Sequence, residues 1–105
     1  MKAYITSDEV IEFLLTIPEG RLITPEDIAR HFGTVELPYE PYWKREVKGV
    51  AVPYWRVVNR RGWITDEFGY YRVARRKRLK AEGFKVKHLR NDIWRILAPV
   101  WAEIT

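Results

Sequence analysis

Val52-Pro53-Tyr54-Trp55-Arg56-Val57-Val58-Asn59 is the stretch whose reading decides the fold. Its β-branched residues continue the run that begins at Val50, and Asn59-Arg60-Arg61-Gly62 carries the residue types of a tight turn. From Val50 to Thr65 the chain therefore reads as an extended strand, a hairpin and a returning strand. Asn59 suits the turn better than it suits base reading, and Arg56 is suited to hold the strand through hydrogen bonds to backbone or a carboxylate.

Upstream, Thr6 and Glu9 make a capping-box pattern, with Ser7 as the competing cap, ahead of Val10, Ile11, Leu14, Leu15 and Ile17 at helical spacing. A first helix buried on one face follows. Thr24-Pro25-Glu26-Asp27 opens a second helix with a cap, proline at the first helical position and acids at the positive helix end; Gly33 suits its stop. Ile28 and Phe32 should face the core. Leu37-Pro38-Tyr39-Glu40-Pro41 cannot be regular helix, so a short third helix is expected from about Pro41 to Gly49. Downstream, a basic helix from about Tyr70 to Glu82 is ended by Gly83. Ile93, Trp94, Ile96 and Leu97 then stand at helix-like spacing before Pro99 and are expected to pack against the first helix.

Length and composition bound the possibilities. A chain of 105 residues with 47% apolar residues and five tryptophans supports one domain, residues 1–105, burying roughly two-thirds of its unfolded surface. The absence of cysteine excludes disulfides, thiol catalysis and cysteine-ligated zinc. No apolar run approaches the ~18 residues that span a bilayer, and no basic-then-apolar signal opens the chain, so a cytoplasmic, nucleoid-associated location and no membrane partner are expected. The lack of Gln, two Asn and 31% charged residues hint at a heat-adapted source.

The net charge of +5 conceals a polarity along the chain. Residues 1–41 hold three basic and eight acidic side chains, residues 42–90 fifteen and four, and residues 91–105 one and two. The middle segment alone carries +11, enough to create a positive field that attracts phosphates. The competing reading is a solvated charged surface. Arg75, Arg76, Lys77, Arg78 and Lys80 spread around more than one helix face, so some suit phosphate and others solubility.

The octet resembles the active-site strand of the O6-alkylguanine-DNA alkyltransferases, Pro-Cys-His-Arg-Val-Val, with Tyr54 and Trp55 at the cysteine and histidine positions. Ile17-Pro18-Glu19-Gly20-Arg21-Leu22-Ile23-Thr24, with Asp27-Ile28-Ala29 and Phe32-Gly33, is similar to that family's entry into its helix-turn-helix. Asn59-Arg60-Arg61-Gly62-Trp63-Ile64-Thr65 resembles its wing, and Arg78-Leu79-Lys80-Ala81-Glu82-Gly83-Phe84 its Arg-x-Leu-x-x-Glu-Gly-Val close. The cysteine-less alkyltransferase-like branch commonly carries Trp-His where this chain has Tyr54-Trp55. The resemblance implies a mainly α fold with a small β wing, a winged helix-turn-helix domain.

It also implies a non-enzymatic DNA-binding protein. A phenol with a reference pKa near ~10 and an indole without a basic nitrogen cannot replace a thiolate and its general base. The family inserts a recognition helix into the minor groove, levers one nucleotide out of the stack and fills the gap with an arginine. Carried over, Tyr42, Trp43, Lys44, Arg45 and Lys48 belong to the recognition helix, joined in DNA binding by Arg60, Arg61, Arg75 and Arg76. Arg45 is the finger candidate, with an ordinary phosphate contact as its alternative; the shorter stretch between Arg45 and Tyr54 leaves Tyr39 as another finger under a different gapping. Pro25 stands where the family has a tyrosine that helps rotate the target phosphate, a function left to Tyr39 or Tyr42. Tyr54, Trp55 and Arg56 line the base pocket, where the two rings either stack on an extruded base or plug the cavity.

The expected partners are double-stranded DNA, with alkylated guanine as a candidate lesion, and a repair-pathway protein, the chain itself being a monomer. The alternatives are an architectural or regulatory winged-helix protein with a plugged pocket, and a protein-interaction domain using Trp43 or Trp63. His31 and His88 are isolated, Glu26-Asp27 and Asp66-Glu67 suit capping and turns, and no glycine-rich phosphate loop occurs, so no cofactor and no metal site are expected.

Overall fold

The computed structural model describes residues 5–38, 45–64, 72–90 and 93–103. The first helix, α1, spans Ser7–Leu14. Thr6 is its cap, accepting the Glu9 N–H at 3.2 Å, and the acids Asp8 and Glu9 lie in its first turn, where the helix dipole favours them. Val10, Ile11 and Leu14 are buried along one face, with Ile17 beyond it; Leu15 turns outward. Helix α2, Pro25–Phe32, starts on the Thr24 cap, whose hydroxyl accepts the Asp27 N–H at 3.1 Å, and closes at Gly33. Ile28 is its fully buried residue and Phe32 packs at the margin of the same cluster.

A two-residue hairpin follows. Strands β1, Glu46–Val47, and β2, Val50–Ala51, pair antiparallel around Lys48 and Gly49, which take φ of 50° and 81°. This corrects the helix expected to run to Gly49. A short helix has little cooperative stability, whereas Val47 and Val50 flanking a Lys-Gly pair favour the positive-φ turn of a hairpin. The Val52 N–H donates to the Arg45 carbonyl at 2.9 Å and extends the ladder by one step. Tyr42, Trp43 and Lys44 lie outside the described residues.

The decisive octet is then a short 3-10 turn, Tyr54–Arg56, that follows Pro53 and leads into the extended Val57. Ile23 and Val57 form a parallel bridge: the Ile23 N–H donates to Arg56 O and the Val58 N–H to Ile23 O, each at 2.9 Å. Leu22 bridges Trp101 in the same way. The Asn59–Gly62 turn forms as read, with the Asn59 side chain accepting the Trp63 N–H at 2.8 Å. Its exit does not return along the octet. Strand β3, Trp63–Ile64, pairs antiparallel with β5, Ile93–Leu97, which pairs in turn with β4, Lys85–Arg90.

The C-terminal expectation is therefore also corrected. Ile93, Trp94, Ile96 and Leu97 form the central strand of a three-stranded sheet of order β3-β5-β4. Spacing alone permits either reading, and the basic strand next to it supplies the ladder that decides. Helix α3, Arg72–Ala81, covers one sheet face. Three helices and two small antiparallel sheets thus make up the described chain, with a larger β share than expected.

Two clusters form the core. Ile5, Val10, Ile11, Leu14, Ile17, Ile23, Ile28, Val52 and Val57 make the first; Leu22, Tyr54, Trp55, Val58, Ile64, Leu79, Phe84 and Ile96 make the second. Val52 and Val57 point one way and Tyr54, Trp55 and Val58 the other, so the octet is the seam between them. No helix among the described residues is long and apolar enough to cross a membrane.

Candidate nucleic-acid interface

The 3-10 turn delivers Arg56 to Glu82, the residue after α3. Arg56 Nε donates to the Glu82 carboxylate at 3.1 and 2.9 Å, Nη2 lies 2.8 Å from Oε2, and Nη1 donates to the Ile17 carbonyl at 2.6 Å. Trp55 Nε1 donates to Oε2 at 2.5 Å, and the Gly20 N–H to Oε1 at 2.8 Å. Burial pushes the Glu82 carboxyl upward, but the Arg56 hydrogen bonds, the Gly20 N–H, the Trp55 N–H and the Arg56 charge together hold it below its ordinary 4.5. Glu82 is thus an ionised hub joining the octet, the end of α3 and the turn that precedes α2. It sits in the Glu-Gly pair of the sequence, which marks the end of α3 but gives no sign of its partners.

Tyr54 and Trp55 are 7% and 6% exposed. Their rings meet edge to face at 5.4 Å. Arg45 stands over the Tyr54 ring at 4.3 Å and Arg75 at 5.6 Å; Arg78 and Arg56 lie 4.8 and 5.4 Å from the Trp55 ring. Aromatic faces attract guanidinium groups, more strongly where water is excluded. The pair therefore packs as core and gathers four arginines around itself. Arg56 performs the anchoring expected of it rather than facing a cavity.

Arg75 is placed differently from the sequence expectation. It is 1% exposed, with Nη2 3.5 Å from the Tyr54 carbonyl, and cannot reach a phosphate from there. Its position on α3 next to Leu79, one turn on, turns it toward the second cluster. Arg76 is half-buried, its guanidinium 4.0 Å from the Trp94 ring. Lys48 is exposed at the hairpin tip, and Arg60 and Arg61 are exposed in the Asn59–Gly62 turn. His31 stacks on Phe13 at 4.2 Å and His88 on Trp94 at 4.4 Å. Among the described residues no group of three His, Asp or Glu side chains is placed to hold a metal ion.

The structure superposes on the crystal structure of S. pombe Atl1 in complex with damaged DNA containing O6-carboxymethylguanine, with a TM-score of 0.68 over 92% of this chain and 94% of that one. The chain shares the fold of Atl1. Sequence identity between the two is 23%. No family model and no curated protein matches the sequence. The fold likeness to Atl1 and the resemblance carried by the motifs around Ile17–Thr24, the octet and Arg78–Phe84 point to the same type of protein.

Proposed function

We propose that this protein is a non-catalytic DNA-binding protein of the alkyltransferase-like type, which grips duplex DNA from the minor groove and senses alkylated guanine for a repair pathway. The observation that carries the reading is the octet itself. By its resemblance to an alkyltransferase strand the octet has Tyr54 and Trp55 where that strand has its nucleophile and base, and the chain, which lacks cysteine, has the fold of a protein crystallised on damaged DNA. A thiol acceptor is absent, so alkyl transfer to cysteine has no route. Binding chemistry remains: +11 between residues 42 and 90, with Lys48, Arg60 and Arg61 exposed on turns that can approach phosphates.

A second reading, an architectural duplex binder without lesion recognition, is favoured by one observation. Tyr54 and Trp55 are buried among Arg45, Arg75, Arg78 and Glu82, where they fill space that an extruded base would need. Fluorescence anisotropy on matched duplexes with and without one O6-methylguanine, across a salt series, separates the two. A lesion preference of tenfold or more, about 1.4 kcal/mol, supports damage sensing. Equal and steeply salt-dependent binding supports the architectural reading, and no binding to either duplex removes both.

A further inference from the structure

The three-stranded sheet has two unlike faces. Side chains alternate across a strand, so the residues of β3, β5 and β4 divide cleanly. Ile64, Trp94, Ile96, Val86 and His88 turn toward α3, where Ile64 and Ile96 are buried and Arg76 covers Trp94. The opposite face carries Trp63, Arg95 and Lys87 in one cross-strand row and Lys85 beside Leu97 in the next. Arg61 lies 5.3 Å from the Trp63 ring.

This outer face is arranged at a cost. Lys87 and Arg95 are direct cross-strand partners, and like charges so placed destabilise an antiparallel pair. Arg61, Lys85, Lys87 and Arg95 are all exposed, and among the described residues none of them makes an ion pair. No acid stands at a described position of the three strands. Folding gains little from concentrating four cations on one solvent face, of which only Arg61 rests on the Trp63 ring. A polyanion would gain: the Trp63–Arg95–Lys87 row runs ~10 Å across the strands, a flat basic strip with an aromatic end.

We propose that the outer face of the β3-β5-β4 sheet is a second nucleic-acid contact surface, in which Lys87, Arg95, Lys85 and Arg61 take phosphates of a phosphodiester strand and Trp63 packs against its sugar or base. The strand is duplex DNA flanking the contact proposed above, the reading on which this surface rests. Its charge complementarity sets it apart from an acidic or neutral protein partner, which would offer no regular row of anions to match the strip.

The test is Lys87→Glu in the full chain. It turns the repulsive Lys87–Arg95 pair into an attractive one, so thermal melting at or above the parent's is expected while two phosphate contacts are cancelled together. Anisotropy is measured for parent and variant on an undamaged duplex and on a single strand of the same sequence, each over a salt series. At low salt at least fivefold weaker binding is expected, with the salt slope reduced by about 1.8 on duplex or about 1.4 on single strand. Loss on duplex supports the proposal, and loss confined to the single strand overturns it. Unchanged affinity and slope on both overturns the proposal; should Lys87→Glu melt lower than the parent, the Lys87→Ser, Arg95→Ser double variant carries the same comparison. A parent that binds neither substrate removes the proposed function and this surface together, whereas a parent that binds duplex with Lys87→Glu unaffected overturns this surface alone.

Discussion

Arg56 and Glu82, 26 residues apart in sequence, hold each other through a forked ion pair with 13% and 5% side-chain exposure. The same guanidinium donates to Ile17 O and the same carboxylate accepts from Gly20 and Trp55. One pair thus ties the octet to α3 and to the chain between α1 and α2. Removing one member leaves the other charge buried without its partner, which costs far more than the pair's net contribution.

Glu82→Ala and Arg56→Ala are each expected to destabilise the fold by about 3 kcal/mol, a fall of roughly 15 °C in melting temperature for a domain of this size. Urea denaturation of both single variants and the double variant checks this. The double variant should lose less than the sum of the singles, because the second deletion removes a charge already stranded.

Acid should unfold the protein partly through the same residue. The folded-state Glu82 lies below its ordinary 4.5, so its contribution is fully present above that value and is lost as pH falls through the lower folded value. Melting temperature followed from pH 7 downward should fall most steeply below about 4.5, with a flatter profile in Glu82→Gln, whose amide does not titrate.

Basic residues on the same stretch should separate by burial. Arg60→Ala and Arg61→Ala, at exposed turn positions, are expected to leave stability within about 0.5 kcal/mol. Each should lower the salt slope of duplex binding by about 0.9. Arg75→Ala, at 1% exposure against Tyr54, should instead cost about 2–3 kcal/mol through lost packing and the cavity left behind. Parallel denaturation and anisotropy on the three variants give the comparison; a stable Arg75→Ala with a reduced salt slope would contradict the buried placement.

Gly62 has φ of 73°, and a Cβ there would lie 3.4 Å from Ile96 O, the carbonyl beside the bond in which Ile96 N–H donates to Gly62 O at 2.8 Å. Gly62→Ala should therefore cost about 1–2 kcal/mol in urea denaturation, through left-handed strain and pressure on the β3–β5 pairing. It should also weaken any binding that needs the Trp63–Arg95 row.

The helices were legible because their signals are local. Thr6 with Glu9, Thr24-Pro25 with its acids, and the glycines at 33 and 83 each act within one turn of the backbone they cap. The Asn59–Gly62 turn was legible for the same reason, and so was the structural role of Arg56, a guanidinium in an apolar strand that must find an anion or a carbonyl. Its actual partner, Glu82, carried no sequence mark because the bond spans separate elements.

By itself the sequence determined the absence of thiol chemistry, the segregation of positive charge into residues 42–90, the caps of α1 and α2 and the end of α3, and the motifs that resemble an alkyltransferase. Tertiary structure alone decided that residues 46–51 make a hairpin, that Ile93–Leu97 is a central strand, that β3 pairs with β5 rather than with the octet, and that Arg75 is buried while its neighbours are not. Caps, turns and missing functional groups are properties of a few adjacent residues. Strand partners and burial depend on which distant surfaces meet, and a one-residue periodicity cannot encode that meeting.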